Sequence, residues 1–214
     1  MTDAERRRHF KNREQAGRDL AEYLKIKYQD VDPLVVGIPR GGVEVAYYVA
    51  VAFNTQVQII VSKKLPLPQQ PEFGIGAVSE ENSVYVSSKA ENLVTPEMLN
   101  EIIERQQEEV ARRVEAYRHG KPLPEMAGRT VFIVDDGIAT GVTLVPVIKL
   151  CRKKKAAKIV IAAPVSGLSY NEGLYEADAI EVLLQPESFY AVGQVYEQFG
   201  DFDDEDLMAL LDKA

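Results

Sequence analysis

The run Val131-Phe132-Ile133-Val134-Asp135-Asp136-Gly137-Ile138-Ala139-Thr140-Gly141-Val142-Thr143 concentrates the residue types that could do chemistry. Four apolar residues predict a buried central strand, and two adjacent carboxylates leave it at its C-terminal end. In open α/β sheets that edge is where ligands bind. The residues that follow are small or hydroxylated and lead toward a helix. Backbone N–H groups from Ala139 to Thr143, with the Thr140 and Thr143 hydroxyls, can wrap a phosphate beside a positive helix terminus. Carboxylates next to a phosphate cradle suit a ligand that carries both hydroxyls and phosphate, as a sugar phosphate does. Two more segments hold fixed positive charge: Pro39-Arg40-Gly41-Gly42, where the glycines allow close backbone approach, and Lys63-Lys64 ahead of a proline-rich stretch.

The elements that must position these residues follow from periodicity. Ala16, Leu20, Tyr23, Leu24 and Tyr28 have helical spacing over Arg13 to Lys27, and Asp32-Pro33 stops the helix. Leu34 to Ile38 reads as a buried strand, Val43 to Phe53 as a helix and Val57 to Val61 as a second strand. Strand, loop, helix, strand at this spacing predicts a βαβ unit and a parallel sheet. Leu65 to Phe73, with three prolines, is expected as an exposed mobile loop. Ile75 to Ser79 and Val84 to Ser87 predict a hairpin around Glu80-Glu81-Asn82. Thr95-Pro96-Glu97 opens a long helix with an apolar stripe at Leu99, Ile102, Ile103, Val110, Val114 and Tyr117, ended by Gly120. Beyond the acidic pair, helices are expected at Val142 to Cys151, Asn171 to Ala177 and Asp204 to Asp212, and strands at Lys158 to Ala163 and Ile180 to Leu184.

Composition narrows the classes. The chain has 214 residues, 46% of them hydrophobic, and carries 25 Lys plus Arg against 33 Asp plus Glu, a formal net charge of −8. That length suits one large domain over 1–214. The acidic balance argues against a nucleic-acid partner but leaves room for a small anion in a locally positive pocket. The basic clusters Arg6-Arg7-Arg8 and Arg152-Lys153-Lys154-Lys155 are short, and the second suits a helix end. Cys151 is the single cysteine, so neither an internal disulfide nor a thiolate zinc site is expected, and His9 and His119 have no ligand-spaced partners. No apolar stretch reaches the roughly 20 residues that span a bilayer, and a cytoplasmic location is the expectation. A Walker A loop is absent, and Gly74-Ile75-Gly76 lacks the third glycine of a dinucleotide fingerprint. A receiver-type phosphoacceptor site would put its acids on the first strand, whereas here two strands, a hairpin and a long helix precede them.

The Val131 to Thr143 run resembles the phosphoribosyl pyrophosphate (PRPP) motif of the type I phosphoribosyltransferases. The similarity extends over roughly Arg13 to Leu211 and is greatest to phosphoribosyltransferase-domain proteins of unassigned acceptor. The resemblance implies an α/β, doubly wound, mainly parallel central sheet with flanking helices, a hairpin plus long-helix insertion at about 74–120, and a small C-terminal hood at about 185–214. It places the PRPP ribose on Asp135 and Asp136 and the 5′-phosphate on Ala139, Thr140, Gly141, Val142 and Thr143. Pyrophosphate falls to Pro39, Arg40, Gly41 and Gly42, with Arg40, Lys63 and Lys64 as the catalytic cations. The acceptor base falls to Phe189 first and Tyr190 second, both of which could equally be core. Mg²⁺ would arrive on PRPP, with no direct protein ligand. The acceptor would be a small molecule, which implies a place in nucleotide metabolism, and the family admits a homodimer. Ala139 replaces an Asp of hypoxanthine-type enzymes, and Tyr196 stands where their hood has an aspartate.

The implied reaction breaks the C1–pyrophosphate bond with oxocarbenium character and adds a nitrogen nucleophile with inversion, resting on leaving-group electrostatics. A different class competes, a non-catalytic PRPP or nucleotide sensor on the same fold. A third reading, a phosphoribosyl-binding subunit that needs a partner, draws on the unusual length of the Thr95 to His119 helix.

Overall fold

In a computed structural model, which describes residues 9–88 and 90–213, helix α1 (Arg13–Lys27) starts at Asn12, whose side chain accepts the Gln15 amide. Strand β1 (Leu34–Gly37), helix α2 (Gly41–Ala52) and strand β2 (Val57–Ile59) follow. Three antiparallel strands come next, β3 (Ser62–Leu67), β4 (Gln70–Ser79) and β5 (Ser83–Val86), and then helix α3 (Pro96–Arg118). The chain continues through β6 (Thr130–Val134), α4 (Val145–Lys153), β7 (Lys158–Val165), β8 (Ala179–Leu184) and α5 (Asp204–Leu211). The Arg6-Arg7-Arg8 cluster lies outside the described residues.

Five strands form one parallel sheet in the order β2-β1-β6-β7-β8. The order turns between β1 and β6: β2 extends to one side, β7 and β8 to the other. Loops leaving the C-terminal ends of two such neighbours diverge and open a crevice between them. Alternation supplies both faces of the sheet. Val35, Phe132, Val134, Val160 and Ala162 pack with α1 and α2, while Val36, Val131, Ile133, Ile159 and Ile161 pack with α4. Phe132 is fully buried, with the rings of Tyr28 and Phe53 edge-on at 5.1 and 5.4 Å. Among the described residues no helix is long and apolar enough to cross a membrane.

Three expectations need correction. Leu65 to Phe73 is not a loop: β3 and β4 run through it as one arm, joined at Pro68 and Gln69, in a second sheet of order β3-β4-β5. Pro66 is accommodated because β3 is an edge strand and its register shifts on both sides of that residue. The helix expected from Val142 begins only at Val145, so residues 139–144 stay in the loop. Asn171 to Ala177 is a 3-10 turn, Glu172–Glu176, capped by Asn171. The long helix stands as expected, with Thr95 accepting the Met98 amide and His119 left-handed at φ 50°. It packs on its own hairpin through Ile102, Val110 and Tyr117, and Arg118 anchors it by pairing with Glu80 at 2.5 Å. The basic stretch after α4 is engaged locally: Arg152 pairs with Asp178 at 2.8 Å and Lys154 with Glu81.

Candidate functional site

Two loops meet at the crevice. From β1 comes Ile38 to Gly42, and its Ile38 amide donates to the Val134 carbonyl of β6, so the loop is laced to the neighbouring strand from the start. The Pro39–Arg40 peptide is cis. From β6 comes the acidic pair. Gly41 and Gly42 lie directly against it: a Cβ on Gly41 would overlap the Asp136 carboxylate, and one on Gly42 would sit 2.7 Å from Asp135 Oδ1. Close backbone approach was expected here toward pyrophosphate, and what it achieves in the fold is room for the two carboxylates. The amides of Gly41 and Gly42, in the first turn of α2, emerge at the same point, where helix geometry leaves them without intrahelical acceptors.

The loop after the acids is held from both ends. Ile138 N–H donates to Val165 O, Gly167 N–H to Ile138 O, and Asn171 N–H to Thr140 O. Gly141 takes φ +73°, and a Cβ there would also press into Leu174. Glycine is therefore required by backbone and by packing. Ala139 and Thr140 are exposed, and among the described residues the amides of Ala139, Gly141 and Thr143 have no protein acceptor. Those donors face a cleft of about 890 Å³ lined by Asp135, residues 137–144, Lys64, Gly74 and Tyr190. A phosphate in this curl would meet amide hydrogens and the Thr140 hydroxyl, and Asp135 would face the adjoining sugar.

Not every expected residue reaches the cleft. Side chains alternate along β3, so Lys64 lines it while Lys63 points to the opposite face, into a hollow against Arg105, Glu109 and Arg112 of α3. Burial, and then nearby Arg113, hold the Lys63 ammonium below its usual range. Arg40 also turns away, with its guanidinium 3.9 Å from Asp204 of α5. The hood reverses the expected ranking of its aromatics. Phe189 packs with Val165, Val192 and Val195, whereas Tyr190, 86% exposed, stands at the cleft. Lys64 donates to the Glu72 carbonyl at 2.9 Å across its own hairpin.

Two further residues complete the acidic corner, Arg13 and Tyr196. Arg13 Nε donates to Asp136 Oδ2 at 2.8 Å, and its Nη1 donates to the Gly200 carbonyl at 3.0 Å. Its guanidinium lies 4.0 Å over the Phe199 ring. Tyr196 is buried and donates its hydroxyl to the Asp136 carbonyl at 2.6 Å, which is where the hood residue noted for its family substitution is spent. Arg13 was legible in principle: it precedes Ala16 by three residues and Leu20 by seven, so a charge sits on the apolar stripe of α1. Tyr196 gave no such signal. Burial pushes Asp135 well above the usual carboxylate range, and the neighbouring Asp136 pushes it further. Asp136 is raised as well, by burial, with Arg13 pulling it back.

Comparison with known proteins agrees with this geometry. A family model described as a phosphoribosyl transferase domain matches residues 8–199. Proteins from two strains of Mycobacterium tuberculosis, provisionally named phosphoribosyl transferases, are 36% identical over 211 residues, 96% of this chain and 47% of theirs. The chain thus spans about half the length of these relatives. The crystal structure of TT1426 from Thermus thermophilus is 33% identical, with 95% of this chain and 97% of that one covered at a TM-score of 0.79. A Neisseria gonorrhoeae hypothetical protein, solved with bound ppGpp, shares the fold at 13% identity and a TM-score of 0.52, covering 94% and 92%.

Proposed function

The chain belongs to the phosphoribosyl transferase domain family, and from that membership we propose that it transfers the phosphoribosyl group of PRPP to a nitrogenous acceptor, releasing pyrophosphate. The observation that carries this reading is the juxtaposition of the donor-rich 139–143 loop and Asp135 in one cleft at the β1/β6 switch point. In this reading the 5′-phosphate sits on the loop amides and Thr140, the ribose hydroxyls donate to the acidic pair, and the diphosphate lies toward Gly41, Gly42 and the first turn of α2. The C1–O bond breaks and its electron pair leaves with pyrophosphate. The acceptor nitrogen supplies the pair for the new C1–N bond from the opposite face, and its proton passes to solvent.

No protein nucleophile is involved, so the catalytic demand is electrostatic. Mg²⁺ arriving with PRPP would supply charge neutralisation to the leaving group, while the acids on this chain serve the ribose. In this reading Lys64, which lines the cleft, meets that group after exchanging its Glu72 carbonyl for a phosphate oxygen. Arg40 and Lys63 act from the far side of the arm as background positive potential. Tyr190 offers an exposed aromatic face on which a planar base can stack. Closure of the β3–β4 arm over the cleft would exclude water from the reacting centre.

Incubation with PRPP, Mg²⁺ and a panel of nucleobases, followed by pyrophosphate release, tests the proposal. Release that depends on one base confirms transfer and identifies the acceptor. Calorimetric PRPP binding without release for any base would instead assign a sensor. Absence of PRPP binding would overturn the reading.

A further inference from the structure

We propose that Arg13 is a positioning residue of the donor site, holding Asp136 charged and aimed so that its second oxygen can accept from the ribose. This rests on the phosphoribosyl-transfer reading. Arg13 comes from α1, remote from both ligand loops in sequence, and is 9% exposed. Three contacts fix its guanidinium: Asp136 Oδ2 at 2.8 Å, the Gly200 carbonyl at 3.0 Å and the Phe199 ring at 4.0 Å. Asp136 is gripped from other sides too, its carbonyl by the Tyr196 hydroxyl and its carboxylate by the bare backbone of Gly41. Arg13 engages Asp136 through Oδ2, and Oδ1 is the oxygen that the proposal gives to the ribose.

The physical need for Arg13 is plain. Two carboxylates on consecutive residues leave the sheet at a half-buried corner, and Glu44 of α2 adds a third acid, 4.0 Å from Arg13. Facing the pair are Glu44, the Tyr196 hydroxyl and Arg13, so Arg13 is the one cation among the described groups packed on it. Like charges this close cannot all ionise without compensation, and burial already favours the neutral forms. A protonated Asp136 would be a poorer acceptor for a ribose hydroxyl. The guanidinium fork also ties the acid to the hood at Gly200 and Phe199, a set of contacts that a lysine, with one nitrogen, cannot reproduce.

Two variants of the full chain decide the matter. Arg13→Gln removes the charge and keeps a polar side chain; Arg13→Lys keeps the charge and removes the fork. PRPP affinity is read by calorimetry across pH, beside thermal denaturation of each variant. Arg13→Gln should weaken PRPP binding about ten- to a hundredfold at neutral pH and move the acid limb of binding up by roughly one to three pH units. Arg13→Lys should keep the wild-type limb and lose affinity severalfold. A folded Arg13→Gln protein with wild-type affinity and an unmoved limb overturns the inference, as does a limb that moves equally in both variants. Should Arg13→Gln fail to fold, wild-type affinity in Arg13→Lys overturns it alone. Wild-type protein that binds no PRPP is a different result, since it removes the transfer reading itself.

Discussion

Asp135 sits between the bare backbone of Gly42 and the open cleft, with its Oδ1 already accepting the Asp136 amide at 2.9 Å. Its proton affinity couples two observable properties in opposite directions. Because burial and Asp136 raise its folded-state value above that of the unfolded chain, the folded protein binds the proton more tightly. The associated stability is fully present below the ordinary carboxylate range and is lost as pH rises through the raised value. Ribose binding needs the charged form, so PRPP affinity should climb over the same interval. Thermal denaturation between about pH 4 and 8 should therefore show ligand-free stability falling while the PRPP-induced rise in Tm grows. Asp135→Asn should flatten the first trend and weaken PRPP about ten- to a hundredfold, the worth of a charged hydrogen-bond acceptor. Parallel trends in wild type and Asp135→Asn would refute the assignment. A steric prediction belongs to the same corner: Gly41→Ala must displace the Asp136 carboxylate, and its PRPP affinity should fall at least as far as that of Asp135→Asn.

Strand β3 decides which of two adjacent lysines can serve the cleft. Lys64→Met should cost on the order of a hundredfold in kcat with the best acceptor, while Lys63→Met, on the other face, should cost far less. Equal losses in steady-state assays would mean that the arm rotates in use. A buried pair helps to fix the arm to the molecule: Arg118 donates to Glu80 and to the Ile59 carbonyl, and Glu80 also accepts the Val61 amide at 2.8 Å. Arg118→Met leaves Glu80 buried without its cation and should lower unfolding free energy by about 3–5 kcal/mol in urea titrations. Adding Glu80→Leu should recover only part, because the Val61 amide then loses its acceptor. These elements also show what a sequence can and cannot disclose. The central strands were legible because Val131 to Val134 and Ile159 to Ala163 are continuous apolar runs, and the Thr95-Pro96 start of α3 because capping chemistry is local. The β3–β4 arm was not, since Pro66, Pro68 and Pro71 signal a loop wherever edge position and register shifts cannot be foreseen. A loop from Leu65 onward leaves Lys63 and Lys64 with no strand to alternate along, so their opposite facing is hidden too. The direction of Arg40 is illegible for another reason: its guanidinium lies 3.9 Å from Asp204, far along the chain, and such pairing has no local trace.

Viewed as a whole, the molecule places its ligand loops and its single cysteine on one continuous unit. Cys151 lies on α4, the helix that follows the 139–143 loop, and is fully buried on the face of the sheet that α4 covers. Burial pushes its thiol up to about 12, so at neutral pH hardly any thiolate exists in the folded state. A disulfide reagent should therefore label Cys151 only through opening of the sheet and α4. Any ligand that binds the closed form lowers the open population by the factor 1 + [L]/Kd, which is about a hundredfold when PRPP is present at 100 times its Kd. Labelling should slow by that factor with PRPP and Mg²⁺, in proportion to concentration and before any acceptor is added. In Asp135→Asn at the same PRPP concentration the slowing should shrink to about two- to elevenfold, in step with that variant's ten- to hundredfold loss of affinity. Labelling that is rapid in the native protein, or indifferent to PRPP, would mean that α4 opens independently of the loop it follows. The acidic excess of the chain sharpens this test, because a net charge of −8 gives no general attraction for a polyanion. Protection of a buried thiol by PRPP would have to come from the specific donors gathered at the β1/β6 crevice.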